Sequence, residues 1–409
     1  QTIIEKLSEA LKVDIGMIDN DESFSDYGID SIIGVNLVQQ ISRALTIELE
    51  TTIIFDYSSV DKLSSYILSQ YKDIIAKNLQ KNIKQDFESQ DTIAPAEEQK
   101  TLLPGSRRFL QKNAIVTKNL HVEDKSIAII GMSGRFAKSD TLDDLWRHLE
   151  NGDDLIEKVK RWDLTKYYSG KDQEYCNHGS FLEDIDKFDA LFFNISGMEA
   201  TYMDPQQRLF LEESWKALED AGYAGARIKG RKCGVYVGCG QGDYKSLFKN
   251  DTPAQAFWGN AGSIIPARIA YYLDLQGPAI TIDTACSSSL VAIHLACQGL
   301  WNKEVEIALA GGVFVQSTPE FYLRANKAEM LSPTGRCHTF DDRADGFVPG
   351  EGVGTVVLKR LKDAKAAGDH IYGIIRGTGI NQDGATNGIT APSANSQERL
   401  ERYVYDTFN

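Results

Sequence analysis

Residues 277–290 read Gly-Pro-Ala-Ile-Thr-Ile-Asp-Thr-Ala-Cys-Ser-Ser-Ser-Leu and carry the most specific pattern in the chain. The part from Ala279 to Asp283 is a β-type run. It leads through Thr-Ala-Cys into a segment, Ser287 to Leu300, that is apolar on nearly every face and therefore predicts a buried helix. Cys286 is thus expected at a turn between a strand and a helix.

A cysteine at such a turn can act as a nucleophile. The N-terminus of a helix stabilises a thiolate and lowers the pKa of the thiol, which is the condition for nucleophilic sulfur. The alternative is that Cys286 is a small buried hydrophobic side chain, the usual fate of a free cysteine, and position alone favours that alternative. The choice between the two depends on the sequence around Cys286.

The region from Ser126 onward has the pattern of a large α/β domain. Glycine becomes frequent there, and β-rich runs at 126–131 and 233–238 alternate with helical patterns. One helix is expected to begin at Asp204-Pro205, an N-cap followed by a proline in the first turn, and to stop at Gly222.

The chain before this domain has a different character. Residues 1 to about 71 read as short helices with polar connections, which predicts a small all-helical bundle. Between Lys72 and Lys125 the composition turns polar, with apolar residues at four-residue spacing from Ile75 to Phe87 and then a stretch rich in Gln, Glu, Ser and Pro. We expect a bundle over 1–71, a helical extension and flexible linker over 72–125, and the α/β domain over 126–409.

A second chemical pattern lies within the helical bundle, at residues 28–32, Gly-Ile-Asp-Ser-Ile. Ser31 stands where a loop of Asp and Ser residues gives way to an amphipathic helix, whose apolar residues run from Ile33 to Leu45 at four-residue spacing. A serine there is accessible. It could also be a helix cap that accepts hydrogen bonds from free backbone N–H groups, the ordinary role of an isolated Asp-Ser pair.

Composition and charge restrict the function classes. The 409 residues are 42% apolar and carry a formal net charge of −14, which disfavours a nucleic acid as the main partner. The six cysteines lack the paired spacing of a disulfide framework or a zinc ribbon, so we expect a reducing cytoplasm and no metal site. No stretch approaches the roughly 20 apolar residues of a membrane helix. The glycine-rich stretches 350–354 and 377–379 lack the context of a dinucleotide site and predict turns.

The surroundings of Ser31 point to a family. A helix, a long loop, Tyr-Gly-Ile-Asp-Ser at 27–31, the amphipathic helix, Thr-Ile-Ile-Phe-Asp at 52–56 and a closing helix together resemble an acyl carrier protein of polyketide synthases. The resemblance covers nearly all of residues 1–71 and implies a four-helix carrier bundle. It also implies that Ser31 carries a covalent 4'-phosphopantetheine arm, and that Asp30 helps a phosphopantetheinyl transferase to recognise the site.

The surroundings of Cys286 are more specific still. Asp-Thr-Ala-Cys-Ser-Ser-Ser-Leu at 283–290 is similar to the active-site signature of ketosynthases. The similarity extends over 126–409 through Ile-Ile-Gly-Met-Ser-Gly-Arg-Phe at 129–136, Met-Asp-Pro-Gln-Gln-Arg-Leu-Phe at 203–210, Gly-Asn-Ala-Gly-Ser at 259–263, Leu-Ser-Pro-Thr-Gly-Arg-Cys at 331–337 and Thr-Phe-Asp-Asp-Arg-Ala-Asp-Gly-Phe-Val-Pro-Gly at 339–350. A ketosynthase has the thiolase-like αβαβα fold and is normally a homodimer, so the resemblance implies both.

The resemblance implies a reaction in two steps. Cys286 accepts an acyl chain from a carrier domain as a thioester, and a malonyl-type extender on a carrier then loses carbon dioxide and attacks it in a Claisen condensation. A carrier placed before a ketosynthase ends one module and starts the next, so Ser31 holds the upstream chain that Cys286 accepts. The ketosynthase stretches resemble bacterial modular synthases whose acyltransferase is a separate protein, while a synthase with an embedded acyltransferase remains open.

Condensation in this family needs two histidines and a lysine, in His-Gly-Thr and Asn-Ile-Gly-His settings, and none of the six histidines lies in either motif. His294 follows Cys286 by eight residues, about 12 Å along a helix, and is expected to be a satisfied core histidine. We therefore expect a ketosynthase that is incomplete at its C-terminus, and no condensation by residues 1–409 alone. Because the first residue is Gln1 and not Met, we also expect the start to be a fragment boundary. The alternative function is a non-condensing ketosynthase that acts as a transacylase or as a gatekeeping or structural module.

Overall fold

The computed structural model describes residues 1–11, 13–24, 27, 29, 31–50, 53–82, 125–168, 175–248, 252–386, 388 and 390–408. Internal contacts divide the chain into two compact units, residues 1–122 with 382–397 and residues 123–381 with 398–409. Within the described ranges, no helix is both long enough and apolar enough to cross a lipid bilayer.

The first unit begins with helices. They are α1 (Thr2–Leu11), α2 (Ser31–Leu45), α3 (Ile53–Asp56) and α4 (Val60–Asn82). These helices share one apolar core, whose fully buried members include Leu7, Leu37, Ile41 and Leu63. Leu37 and Ile41 belong to the apolar stripe that the sequence predicts for α2. α4 continues without a break past residue 71, so the predicted closing helix and the predicted helical extension are one helix.

The second unit is organised around a six-stranded mixed sheet. Its strands are β1 (Ile127–Phe136), β4 (Cys233–Gly238), β5 (Ala279–Ile282), β6 (Ile307–Phe314), β7 (Gly352–Arg360) and β8 (Gly373–Ile375), while the short strands β2 (Glu157–Lys158) and β3 (His178–Gly179) form a separate pair. The strand order is β5-β4-β6-β7-β1-β8. β4 is parallel to β5 and β6, whereas β7 is antiparallel to β6 and β1, and β8 is antiparallel to β1.

Helices cover both faces of this sheet. The helices after β1 are α5 (Leu142–Asn151), α6 (Gly197–Tyr202), α7 (Pro205–Asp220), α8 (Gln255–Gly259), α9 (Ile264–Leu273), α10 (Ser288–Trp301), α11 (Glu320–Lys327), α12 (Leu361–Ala367) and α13 (Ala394–Phe408). Alternate residues of β4 enter two cores: Val235 and Val237 pack with α7 and α9, and Tyr236 packs with α10. The same alternation in β6 completes a three-layer arrangement of the α/β class that the sequence predicts.

One of the two glycine-rich turn predictions is wrong. The stretch 350–354 is predicted as a turn, but β7 begins at Gly352 and includes Gly354. Gly311 of β6 permits the close approach of β6 to β7, because a side chain there would collide with the Gly354 carbonyl oxygen. Residues 377–379 lie outside the strands and helices.

α10 is less buried than its sequence predicts. Ala292, Ala296 and Cys297 are fully buried, but Leu290 is 72% exposed. Within the described residues, the helix packs on the sheet through one side, so several of its remaining apolar side chains are partly open to solvent. Apolar residues all round this helix therefore do not mean burial all round it.

α7 begins and ends at the residues predicted for it. The side chain of Asp204 accepts a hydrogen bond from the backbone N of Gln206 at 2.9 Å, Pro205 occupies the first turn, and Gly222 follows the helix with a φ of 70°. Left-handed backbone of this kind favours glycine. Asp204 is buried, and burial together with the nearby Asp243 carboxylate raises the pKa of its carboxyl group to about 6.

We predict that Gly131→Ala destabilises the second unit. Gly131 of β1 faces α7, where an added Cβ would lie 2.5 Å from the Ala217 carbonyl oxygen and 2.7 Å from the Ala221 Cβ. Such overpacking should lower the free energy of unfolding by about 1–3 kcal/mol. Gly373→Ala in β8 is the matched control, because nothing lies within 4 Å of the Cβ it would add. Equal losses for the two variants in denaturant unfolding would contradict the prediction.

A second prediction concerns Asp204 and pH. Because its pKa is raised in the folded protein, the group stabilises the fold below its unfolded pKa of about 4, and this contribution is lost as the pH rises through about 6. Asp204→Asn keeps an oxygen that can cap α7 but cannot ionise. We therefore compare the free energy of unfolding of the variant with that of wild type at each pH. The difference should be about 2–3 kcal/mol more favourable to the variant at pH 7 than at pH 4. Denaturant unfolding at the two pH values tests this, and a difference that does not change with pH would rule it out.

Candidate functional site

The carboxyl ends of three parallel strands lie together, and we call this side of the sheet its carboxyl edge. Because β4, β5 and β6 run in the same direction, the loops that follow them all leave the sheet at the carboxyl edge. These loops are residues 239–243, 283–287 and 315–318. In open α/β sheets, ligands bind outside the carboxyl ends of the strands. Cys286 lies in the loop after β5 and is therefore at the edge where a site is expected.

Cys286 stands on a sharp turn between β5 and α10. The turn is a 3-10 segment, Ala285–Ser287, at the strand-to-helix junction that the sequence predicts. Ala285 has a φ of 54°, a left-handed conformation that is unfavourable for a residue with a Cβ. Strained residues of this kind cluster at functional sites, where surrounding contacts hold them. Cys286 is exposed, so the alternative of a small buried hydrophobic side chain is wrong.

Side-chain hydrogen bonds fasten this turn. The hydroxyl of Ser288, a residue that is only 7% exposed, accepts from the Thr284 backbone N at 2.8 Å and donates to the Ala285 carbonyl oxygen at 2.7 Å. The Asp283 carboxylate accepts from the Ala285 backbone N at 3.1 Å. Ser287, an exposed residue, donates to the Thr284 carbonyl oxygen at 2.9 Å. Both the backbone N–H and the carbonyl group of Ala285 are therefore fixed by hydrogen bonds to side chains.

Two glycines let the start of α10 lie directly on the sheet. An added Cβ on Gly238, the last residue of β4, would lie 2.5 Å from the Ser288 carbonyl carbon, and one on Gly312 of β6 would lie 2.8 Å from the Ser289 Cβ. We call Gly238 and Gly312 the glycine floor. It sets the height of the helix start, and therefore of Cys286, above the two strands. Sequence reasoning missed this pair, although Gly238 closes a β-rich run and could have signalled a close approach.

Four of the five other cysteines lie in different surroundings from Cys286. Cys176, Cys233, Cys239 and Cys297 are all buried. Burial raises the pKa of the thiols of Cys233, Cys239 and Cys297 to about 12, and it also raises the pKa of Cys176. Thiols in such surroundings are protonated and closed to substrate. Cys286 is therefore the cysteine best placed to meet an external thioester.

His294 does not join Cys286 in the structure. Its Nδ1 is 2.6 Å from the Thr378 hydroxyl oxygen. The ring is half-buried, and burial lowers the pKa of the imidazole. The prediction of a satisfied histidine is confirmed, although the residue is not deep in the core. Among the residues that the structure describes, no group of three or more His, Cys, Asp and Glu side chains could hold a metal ion.

Two carboxylates, the half-buried Asp243 and the buried Glu351, tie the neighbouring loops together, and sequence reasoning missed them. The Asp243 carboxylate, after β4, accepts from the backbone N atoms of Ser317 and Thr318 at 2.8 Å each, in the loop after β6. Glu351 accepts from the Gln316 backbone N at 2.8 Å in the same loop. No local sequence signal distinguishes these two acids from ordinary surface acids, because their partners lie far away along the chain.

Ser31 is the first residue of α2. The buried Ile29 lies just before it, and Gly34 packs closely enough that an added Cβ would lie 3.3 Å from the Ile54 side chain. Asp30 and the Ser31 side chain lie outside the described residues. A serine at the N-terminus of a 15-residue helix fits the phosphodiester of 4'-phosphopantetheine, because the free backbone N–H groups of the first turn favour an anion.

Family models match both parts of the chain. Residues 124–364 match the N-terminal domain of beta-ketoacyl synthases, and residues 1–67 match the phosphopantetheine attachment site. The chain therefore contains an attachment-site domain for covalent 4'-phosphopantetheine.

Curated polyketide synthases are similar to the chain along its length. Polyketide synthase PksL of Bacillus subtilis is 42% identical over 420 residues, which cover 100% of this chain and 9% of that protein. The pikromycin polyketide synthase component PikAII of Streptomyces venezuelae is 38% identical over 396 residues, which cover 94% of this chain and 10% of that protein. The chain thus spans 9% to 10% of the length of these relatives.

Solved ketosynthases share the fold of the second unit. The ketosynthase from module 6 of the bacillaene synthase of Bacillus subtilis is 52% identical with a TM-score of 0.65, over 69% of this chain and 48% of that one. An oxazolomycin ketosynthase domain of Streptomyces albus is 39% identical with a TM-score of 0.63, over 68% of this chain and 49% of that one. This likeness gives the second unit the thiolase-like α/β fold of ketosynthases. The chain belongs to the beta-ketoacyl synthase family of polyketide synthases and carries a phosphopantetheine attachment-site domain ahead of its ketosynthase part.

Proposed function

We propose that the chain is a carrier and ketosynthase segment of a modular polyketide synthase, in which Ser31 holds the upstream acyl chain and Cys286 accepts it. The observation that carries this proposal is the exposed Cys286 on its strained turn, in a chain where four other cysteines are buried. An acyl-transfer nucleophile needs both access to substrate and a fixed position, and Cys286 has both.

The first step is acyl transfer to Cys286. When attached at Ser31, 4'-phosphopantetheine supplies a thiol on a flexible tether, which raises the effective concentration of the acyl chain at a site within its reach. The Sγ atom of Cys286 attacks the carbonyl carbon of the incoming thioester. A C–S bond to Cys286 forms, the C–S bond of the donor breaks, and the donor thiol takes up the proton.

The second step is decarboxylative condensation. A malonyl-type extender on another carrier domain loses carbon dioxide, and the resulting carbanion attacks the carbonyl carbon of the Cys286 thioester. A carbon–carbon bond forms, the Cys286 thiolate is released, and the product is a β-ketoacyl chain on the extender's carrier. The similarity of residues 283–290 to ketosynthase signatures supports this step. A full-length protein that acylates Cys286 but makes no β-ketoacyl product would instead be the non-condensing transacylase or gatekeeping module.

The proposed domains are a four-helix carrier bundle over 1–71, a helical extension and linker over 72–125, and a ketosynthase part over 126–409. The single apolar core shared by α1, α2, α3 and α4 supports the bundle. Two outside enzymes act on these domains in the proposal. A phosphopantetheinyl transferase modifies Ser31, with Asp30 in its recognition sequence, and a free-standing acyltransferase supplies the extender.

The free edge of the sheet at β5 supports a ketosynthase homodimer. β5 pairs with β4, and in the part of the chain that the structure describes no strand pairs with its other edge. Ile280 of β5 is 40% exposed, and Tyr271 near the end of the preceding α9 is 90% exposed. An open edge strand with apolar side chains is suited to pairing with another chain, and we propose β5 of a second copy as that partner.

We predict that a phosphopantetheinyl transferase supplied with coenzyme A modifies this chain once, on Ser31. Ser31→Ala should abolish the modification, because it removes the hydroxyl oxygen to which the phosphate is joined. Ser65→Ala, which changes an exposed serine of α4, is the control and should be modified like wild type. Intact-protein mass spectrometry distinguishes these outcomes. An unchanged mass for wild type, or the full mass increase for Ser31→Ala, would contradict the carrier assignment.

Within a complete ketosynthase domain, we predict that Cys286 is the residue acylated by an acyl thioester. Cys286→Ala should lose the adduct, because it removes the nucleophilic sulfur. Cys337→Ala is the matched control, since Cys337 is partly exposed yet lies outside the strand-to-helix turn, and this variant should be acylated normally. Peptide mapping by mass spectrometry locates the adduct. Label on Cys239 or Cys297, with Cys286 untouched, would refute the assignment.

A further inference from the structure

Three consecutive serines follow Cys286, and the structure gives them different surroundings. Ser287 and Ser289 are exposed, whereas Ser288 is buried at the start of α10. Sequence reasoning could not distinguish the three, because their side chains are identical and all three belong to the same signature stretch. Their hydrogen bonds distinguish them.

The Ser288 hydroxyl spans the two residues that make the turn. It accepts from the backbone N of Thr284 and donates to the carbonyl oxygen of Ala285, at 2.8 Å and 2.7 Å. Thr284 has a φ of −127° and a ψ of 37°, and Ala285 has the left-handed φ of 54°. The Ala285 carbonyl belongs to the peptide group that ends at the backbone N of Cys286. Its orientation therefore determines how Cys286 leaves the turn.

We propose that Ser288 is a positioning residue for acyl transfer: its buried hydroxyl holds the strained turn and thereby fixes where Cys286 presents its sulfur. This inference rests on the proposed acylation of Cys286. Acyl transfer is sensitive to such positioning, because a displacement of about 1 Å at the reacting atoms can cost about 100-fold in rate. Ser288 is buried and acts through the backbone of Thr284 and Ala285.

The strain at Ala285 supplies a specific test of this role. Alanine resists the left-handed conformation, whereas glycine adopts it without a steric penalty. If Ser288 holds the turn against that resistance, its hydroxyl matters less when residue 285 is glycine. If Ser288 contributed only to general stability, removing its hydroxyl would cause the same loss with alanine or with glycine at position 285. A double-mutant cycle at positions 285 and 288 therefore separates the two roles.

The experiment measures the acylation of Cys286 in a complete ketosynthase domain, with the N-acetylcysteamine thioester of butyrate as the probe. Ser288→Ala should lower the maximal acylation rate about tenfold or more and leave KM nearly unchanged, because the sulfur is displaced while the substrate surface is intact. Ser289→Ala is the matched control, since it removes an exposed hydroxyl next to Ser288 and leaves the hydrogen bonds of Ser287 and Ser288 within the turn in place, and its rate should stay within about threefold of wild type. Thermal unfolding of each variant checks that the fold is retained.

In the Ala285→Gly background, Ser288→Ala should change the rate by less than about threefold. This double variant also carries the test if Ser288→Ala alone does not fold. Equal losses in the two backgrounds, or no loss in either, would overturn the positioning role while leaving Cys286 as the nucleophile. Absence of the adduct from Cys286 in the wild-type domain would overturn the proposed function and, with it, this inference.

Discussion

The left-handed backbone of Ala285 is the constraint on which the site depends. It lets the chain turn from β5 into α10 within a few residues, so that Cys286 is exposed at the carboxyl ends of the strands. The conformation costs about 1–2 kcal/mol for a residue with a Cβ. The two hydrogen bonds of Ser288 contribute about 0.5–1.5 kcal/mol each, which is enough to offset that cost. The turn is therefore stable only together with the helix that follows it.

The sheet beneath the turn is a rigid support. All six residues of β4 are buried, as expected for a parallel strand covered on both faces, so the strand cannot shift without opening two cores. The glycine floor brings α10 into contact with the backbones of β4 and β6, and close-packed backbone transmits a fixed geometry better than long side chains do. The bonds from Asp243 to the loop after β6 extend this rigidity along the same edge.

The sequence predicted the features that depend on neighbouring residues. β4, the caps of α7 and the position of Cys286 follow from local patterns, and the structure bears them out. The sequence could not predict features that depend on the tertiary arrangement. The strand at Gly352 looked like a turn because glycine-rich stretches commonly form turns, and only its pairing with β1 and β6 in the sheet makes it a strand. The exposure of Leu290 likewise depends on which elements cover α10, and no pattern within the helix contains that information.

Ser31 and Cys286 share one physical setting but face different demands. Ser31 is the first residue of a 15-residue helix, and Cys286 lies two residues before a 14-residue helix, so each is near a helix N-terminus, where backbone N–H groups favour a negative charge. An anchor for a flexible arm, the role proposed for Ser31, needs no finer positioning, because the tether averages over many directions. A nucleophile does need it, because its sulfur must meet a carbonyl carbon at a defined angle and distance. This difference explains why strain, a buried hydroxyl and the glycine floor gather around Cys286, the residue that the proposed chemistry requires to be held still.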